Sequence, residues 1–241
     1  MNRDTQSVLL VLVGGAIVRI SLDDTFLRYV KAWMRPGLLV AGAVLVLLGL
    51  VSLWRDRVSR RQDAAFPDLG HGRHDHAEHG PWVAWLLALP VLAILLVAPP
   101  ALGSYTASRS SSAVAEPKES EYLPLPPGDP VTTTLTDYAT RTIWDEGRSL
   151  AGRRIRLVGF VTPRPDGGFY LTRIVLICCA ADGRPVRIAV PDAPRTFPAD
   201  TWLAVTGSYG GLDVKSAGTG QVPVLRAEAV APVPTPVNPY E

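Results

Sequence analysis

RRIRLVGFVTPRPDGGFYLTRIVLICC, residues 153–179, sets apolar and Arg side chains in alternation on either side of a PRPDGG break. Period-two alternation over runs of this length belongs to strands with one face in a core. Pro, Asp and Gly between the runs fold the chain back on itself. The pattern continues through RPVRIAV (184–190), DTWLAVTGSY (200–209) and VPVLRAEAV (222–230), each set off by Gly, Pro or Asp. Five short strands in about 80 residues predict a small closed or nearly closed barrel of the OB type.

Upstream of the barrel, Thr134 stands three residues before Asp137, a capping-box-like start. Leu135, Tyr138, Ala139 and Ile143 then share one face of a short helix. The expected C-terminal domain is therefore mainly β, one short helix plus an OB-like five-stranded barrel over residues 131–232. Residues 233–241, VPTPVNPYE, should run on as an extended tail, and the Ser- and Pro-rich 108–130 as an extended linker.

The first hundred residues follow a different rule. The whole chain is 47% hydrophobic and 19% charged, with a mean hydropathy of +0.17. Soluble domains carry about 25% charged residues, so a plain soluble enzyme or a disordered chain is excluded. Residues 36–54 hold no charge and would span roughly 28 Å as a helix, close to the hydrocarbon thickness of a bilayer. Residues 82–102 form a second apolar span, with Trp82 and Trp85 placed as interface anchors. Residues 7–22 form a shorter one, in which Arg19 follows the apolar core and would snorkel to the headgroups. A signal peptide has an apolar core this short, but no small-x-small cleavage site follows. An α-helical membrane domain of two to three transmembrane helices over residues 1–107 is expected. The cluster Arg55, Arg57, Arg60 and Arg61 argues for a cytoplasmic loop and hence an extracytoplasmic barrel, although Arg28, Lys31 and Arg35 pull the other way.

Two groups of residues offer chemistry. All four histidines fall in one stretch of the 55–80 loop, as His71, His74, His76 and His79, with Asp75 and Glu78 among them. Imidazole and carboxylate are ligands for a divalent transition metal such as zinc, and a loose loop of them suits capture or sensing rather than catalysis. The only two cysteines, Cys178 and Cys179, are adjacent at the end of the second predicted strand. Adjacent strand residues point to opposite faces, so one thiol is expected inside and one outside. Free cysteine is often a small buried hydrophobe. The alternative is a thiol or metal site that includes Asp182 on the next turn and Arg173, placed to lower the Cys179 pKa.

Other chemistry is missing. The histidines lie far along the chain from the barrel, so no nucleophile–His–acid set is formed. GGLDVKSAGTG lacks the order of a phosphate-binding loop. The net charge is +2, and from Val131 onward 12 basic residues face 10 acidic ones. No electrostatic funnel for nucleic acid follows from that balance.

The RYVKAWMRPGL phrase, the His-rich loop and GFV…FYLTRIVLICCAAD…WLAVTG ending in PYE together resemble the YcgQ-like family of permease-associated bacterial membrane proteins. The resemblance implies a non-catalytic accessory subunit in the bacterial cell membrane, partnered with a polytopic permease, with a link to divalent-metal homeostasis. Its matching positions are Arg173, Cys178, Cys179 and Asp182. Two other readings stand beside it: a membrane-tethered thiol oxidoreductase or metal carrier using the vicinal cysteines, and an OB-type module for nucleic acid or saccharide.

Overall fold

A computed structural model describes residues 3–65, 89, 93, 100–112, 114, 124–193, 196–213 and 221–241. The described residues fall into two compact units. One is N-terminal and helical; the other comprises Ala101–Glu241 together with Leu27–Val30.

The helical unit is built on α1 (Arg3–Leu22) and α2 (Arg35–Ala65). Both are long and apolar enough to cross a membrane. The second runs well past the expected 36–54, because the Arg-rich stretch after Trp54 continues as helix. The two lie antiparallel and close, with Ser7 Oγ donating to Ser52 Oγ at 2.8 Å. Small residues make this approach possible. A Cβ on Gly42 would sit 3.0 Å from the Gly14 carbonyl and 2.8 Å from Val18 Cγ2, and one on Gly14 would sit 2.8 Å from the Gly42 carbonyl. Helix pairs in an apolar solvent gain little from burial and depend on this kind of backbone contact. Away from the contact, Val40, Val44, Leu47, Leu48, Val51 and Trp54 of α2 are exposed. Most of the third expected span, 82–102, lies outside the described residues.

The second unit begins with a short helix, α3 (Ser104–Arg109), and a two-residue strand, β1 (Val131–Thr132). Helix α4 (Leu135–Trp144) follows, and Thr134 caps it as predicted, its hydroxyl accepting from the Asp137 N–H at 3.0 Å. The barrel strands are β2 (Ile155–Pro163), β3 (Phe169–Val175), β4 (Arg184–Val190), β5 (Trp202–Leu212) and β6 (Pro223–Pro232). Their order is β2-β3-β4-β6-β5, and β5 pairs back onto β2, so the sheet closes. The β4–β6 pairing is parallel and the other barrel pairings are antiparallel. This is the OB-like five-stranded barrel that the sequence pattern predicts, with a short helix before it.

Closure follows from the alternation. Leu157 of β2 faces Val205 of β5, and Leu171 of β3 faces Ile188 of β4. All four are buried in one core with Ile155, Leu203 and Leu225. Helix α4 touches every barrel strand and sends Leu135, Tyr138 and Ala139 into the same core. Its Tyr138 hydroxyl donates to the Val224 carbonyl at 2.7 Å, so the helix is tied to the barrel it plugs. At Gly207 the β5–β6 register shifts, and a Cβ there would run into the Arg226 backbone. Any other residue would force the two strands apart.

The unit reaches further back in the chain than the 131–232 read from the sequence. Phe160, Thr172 and Arg187 form one row across the outer face of β2, β3 and β4, and all three are buried. The Arg187 guanidinium donates to the Ala107 and Ser110 carbonyls. Asp200 accepts from the Ser104 N–H at 2.6 Å. Residues 104–110, read from the sequence partly as the start of a linker, therefore cover that face.

Ser7→Cys with Ser52→Cys, in a chain whose own cysteines are replaced by Ser, should form a disulfide across α1 and α2, since those hydroxyls already touch. Adding Gly42→Leu should cut the cross-link yield several-fold on a non-reducing gel. Unchanged yield would mean that the glycine contact does not hold the pair. In the barrel, Leu171→Ala should cost about 2–5 kcal/mol in denaturant unfolding, the usual range for truncating a fully buried Leu.

Candidate metal centre

The vicinal cysteines are not on a strand. The β3–β4 ladder ends at the pair Val175 and Arg184, and the chain then leaves the sheet. Leu176 is buried, whereas Ile177 is 74% exposed. Residues Ala180–Asp182 make a 3-10 turn with Cys179 at its N-cap. The cause of the departure is Asp182. Its Oδ1 accepts from the Ile177 N–H at 2.7 Å, and its Oδ2 accepts from the N–H groups of Cys178 at 2.8 Å and Cys179 at 3.1 Å. A carboxylate that collects three successive backbone donors curls the chain around itself and takes those donors away from any ladder. The expectation that the two thiols face opposite sides of a strand therefore fails.

The curl brings three metal-binding groups together. The Cys178 and Cys179 sulfurs and an Asp182 carboxylate oxygen all lie within 4.8 Å of one another. Cys178 is exposed and Cys179 half-buried. The Cys178 thiol donates to Asp182 Oδ2 at 2.9 Å. The Asp182 N–H in turn donates to the Cys179 carbonyl at 3.0 Å, closing the turn from the other side.

The electrostatics follow from this geometry. Hydrogen bonds from the Cys178 thiol and three backbone N–H groups hold the Asp182 carboxyl well below the usual carboxylate range. Asp182, which accepts the thiol proton, and Cys179 beside it push the Cys178 thiol up to about 11. A group with a raised pKa stabilises the fold below its unfolded pKa and loses that contribution as pH rises through the folded value; a depressed carboxylate does so above its unfolded pKa and loses it as pH falls. The turn is thus tightest between the ordinary Asp value of 3.8 and the ordinary Cys value of 9.0.

Arg173 does not join the cluster. Its guanidinium donates to the carbonyls of Asn238 at 3.3 Å and Tyr240 at 3.1 Å. It lies 3.7 Å from the Glu241 carboxylate and 5.0 Å from the Trp202 ring centroid. Six residues on an unbroken strand would have aligned Arg173 with Cys179, but the strand stops at Val175. The histidine-loop candidates His71, His74, Asp75, His76, Glu78 and His79 lie outside the described residues.

The sequence reading missed the frame around the turn. The Glu241 N–H donates to the Ile174 carbonyl at 3.0 Å, and the Leu176 N–H to the Glu241 carbonyl at 3.1 Å. The end of the tail is therefore paired along the end of β3. The Glu241 side chain reaches on to accept from the N–H groups of Leu135 and Thr136, both at 3.0 Å, where α4 begins. On the other side, Val30 pairs with Cys179 in an antiparallel bridge, and the Ala180 N–H donates to the Tyr29 carbonyl at 2.7 Å. Local sequence carries no signal for either contact beyond the apolar Tyr240 amid prolines.

Residues 132–241 match the DUF1980 C-terminal domain, an uncharacterised family. No curated protein and no solved structure matches the chain.

Asp182→Asn should remove the negative charge that holds the Cys178 proton. With that charge gone the thiol falls toward its ordinary 9.0, and the thiolate fraction at neutral pH rises about tenfold for each unit the pKa falls. Iodoacetamide labelling of Cys178 in a Cys179→Ser background should speed up accordingly. Equal labelling rates with Asp or Asn at 182 would show that the carboxylate does not control the thiol.

Proposed function

We propose that the chain is a membrane-tethered, non-catalytic metal-binding subunit of a transport system, with Cys178, Cys179 and Asp182 as the ligands that receive the ion. The observation that carries the reading is the convergence of two thiols and a carboxylate within 4.8 Å on an accessible turn. Two thiolates and one carboxylate suit a borderline or soft ion such as Zn²⁺. Three protein donors on an exposed turn leave a position for a ligand from a donor or acceptor protein. An exchangeable site suits delivery, whereas structural zinc sites use four protein ligands.

The membrane part of the reading rests on α1 and α2, which are long and apolar enough to cross a bilayer. The finer placement follows the sequence signals given above: a multi-pass protein of the bacterial cell membrane, barrel outside the cytoplasm, YcgQ-like in family, and docked on a polytopic permease. The His-rich loop supplies a second donor set of the kind that would collect ions before transfer.

The oxidoreductase reading lacks the C-x-x-C spacing at a helix start that usually lowers a thiol pKa for exchange. The OB-type binding module is disfavoured by the burial of Phe160, Thr172 and Arg187 beneath residues 104–110.

The test is metal titration of the full chain in detergent. One equivalent of Co²⁺ should give a sulfur-to-cobalt charge-transfer band that Zn²⁺ displaces. Cys178→Ser and Cys179→Ser should each abolish the band, and Asp182→Asn should weaken binding while leaving it visible. A chain with both thiols reduced that gives no band would refute the metal reading. The permease partnership is tested by gentle-detergent purification with native neighbours expressed, where recovery of the chain alone would overturn it.

A further inference from the structure

The cysteine turn makes no ladder of its own, so something else must fix its position. Two pieces of chain far away in sequence do so. One is Leu27–Val30, which belongs to the barrel unit although it follows α1 in the chain. It contributes the Val30–Cys179 bridge and the Tyr29 carbonyl that takes the Ala180 N–H. The other is Tyr240, only 3% exposed and packed with Phe160, Ile174, Leu176 and Ala107. Its hydroxyl donates to the Arg28 carbonyl at 2.9 Å and accepts from the Leu102 N–H at 2.9 Å. Tyr240 thereby holds residue 28, and residues 29 and 30 hold the backbone of Cys179 and Ala180.

We infer that Arg28–Val30 and Tyr240 form a clasp that positions Cys179, setting how firmly the thiol pair keeps an ion. The inference rests on the metal reading for its function, but its geometry stands without a metal. Cys179 is the half-buried, anchored donor and Cys178 the exposed one. An ion would meet Cys178 first and be retained by Cys179. Releasing the clasp frees the anchored donor, so residence time is governed by residues that never touch the ion. Tyr29 and Tyr240 are positioning residues in this scheme.

Two substitutions test the clasp from opposite sides. Ala180→Pro deletes the N–H that binds Tyr29 and puts a ring carbon against that carbonyl. The local backbone accepts it, since Ala180 opens a 3-10 turn and Cys179 before it is already extended, at φ −148° and ψ 169°. Tyr240→Phe keeps the ring in its core and removes both hydroxyl contacts. In metal-free protein in a Cys178→Ser background, each should raise the iodoacetamide labelling rate of Cys179 while the barrel's circular dichroism is retained. With Cys178 present, each should speed Co²⁺ release to a chelator by about tenfold, the equivalent of 1.4 kcal/mol or one hydrogen bond, and alter the charge-transfer band. Wild-type Cys179 labelling in both variants overturns the clasp. No Co²⁺ binding by the unmodified chain overturns the metal reading instead, and the labelling result still decides the clasp.

Discussion

A single carboxylate organises the part of the molecule where chemistry is concentrated. Asp182 accepts three consecutive backbone N–H groups and one thiol proton. Strand β3 keeps its β4 partners up to Val175 and its tail partner up to Leu176. The carboxylate supplies the next residues with an alternative to the ladder, and the chain takes it. Everything else near the site follows: the thiols turn to the same side, the 3-10 turn forms, and β4 begins at Arg184 with its pairing intact.

The barrel makes this possible by being closed and by having one end occupied. Helix α4 fills one end, and Glu241 caps that helix while its own backbone extends the β3 edge. Arg173 neutralises the same Glu241 carboxylate and binds the Tyr240 carbonyl. Tail, helix start and strand end are thus one connected polar network with little exposure to water. In such a setting each hydrogen bond is stronger and each missing partner costs more than on an open surface.

The fold was legible because it depends on periodicity. Ile155 and Leu157, Phe169 and Leu171, and Val186, Ile188 and Val190 recur at the two-residue spacing that a strand buries on one side, and Thr134 marks its helix by a local hydrogen bond. The site was half legible. Cys178, Cys179 and Asp182 stand close in sequence and could be grouped by chemistry alone. Their geometry could not be read, because strand periodicity says nothing about where a strand stops when a side chain competes for the backbone. Arg173 was misplaced for that reason. The contributions of Val30 and Tyr240 were invisible, since a β-bridge between residues about 150 apart in the chain leaves no periodic trace at either end.

The Tyr240–Arg28 hydrogen bond joins residues separated by 212 positions, and that separation has a consequence for biogenesis. Contacts of long sequence range close late, after the loop entropy of the intervening chain has been overcome. During synthesis the segment at 27–30 emerges long before its partners, and the barrel cannot shut until β6 has been made to join β4 to β5. The thiol pair, at positions 178 and 179 of 241, therefore stands on an unfinished turn from its own synthesis until the rest of the chain has followed. It acquires its final surroundings only when the last residues of the barrel unit are in place.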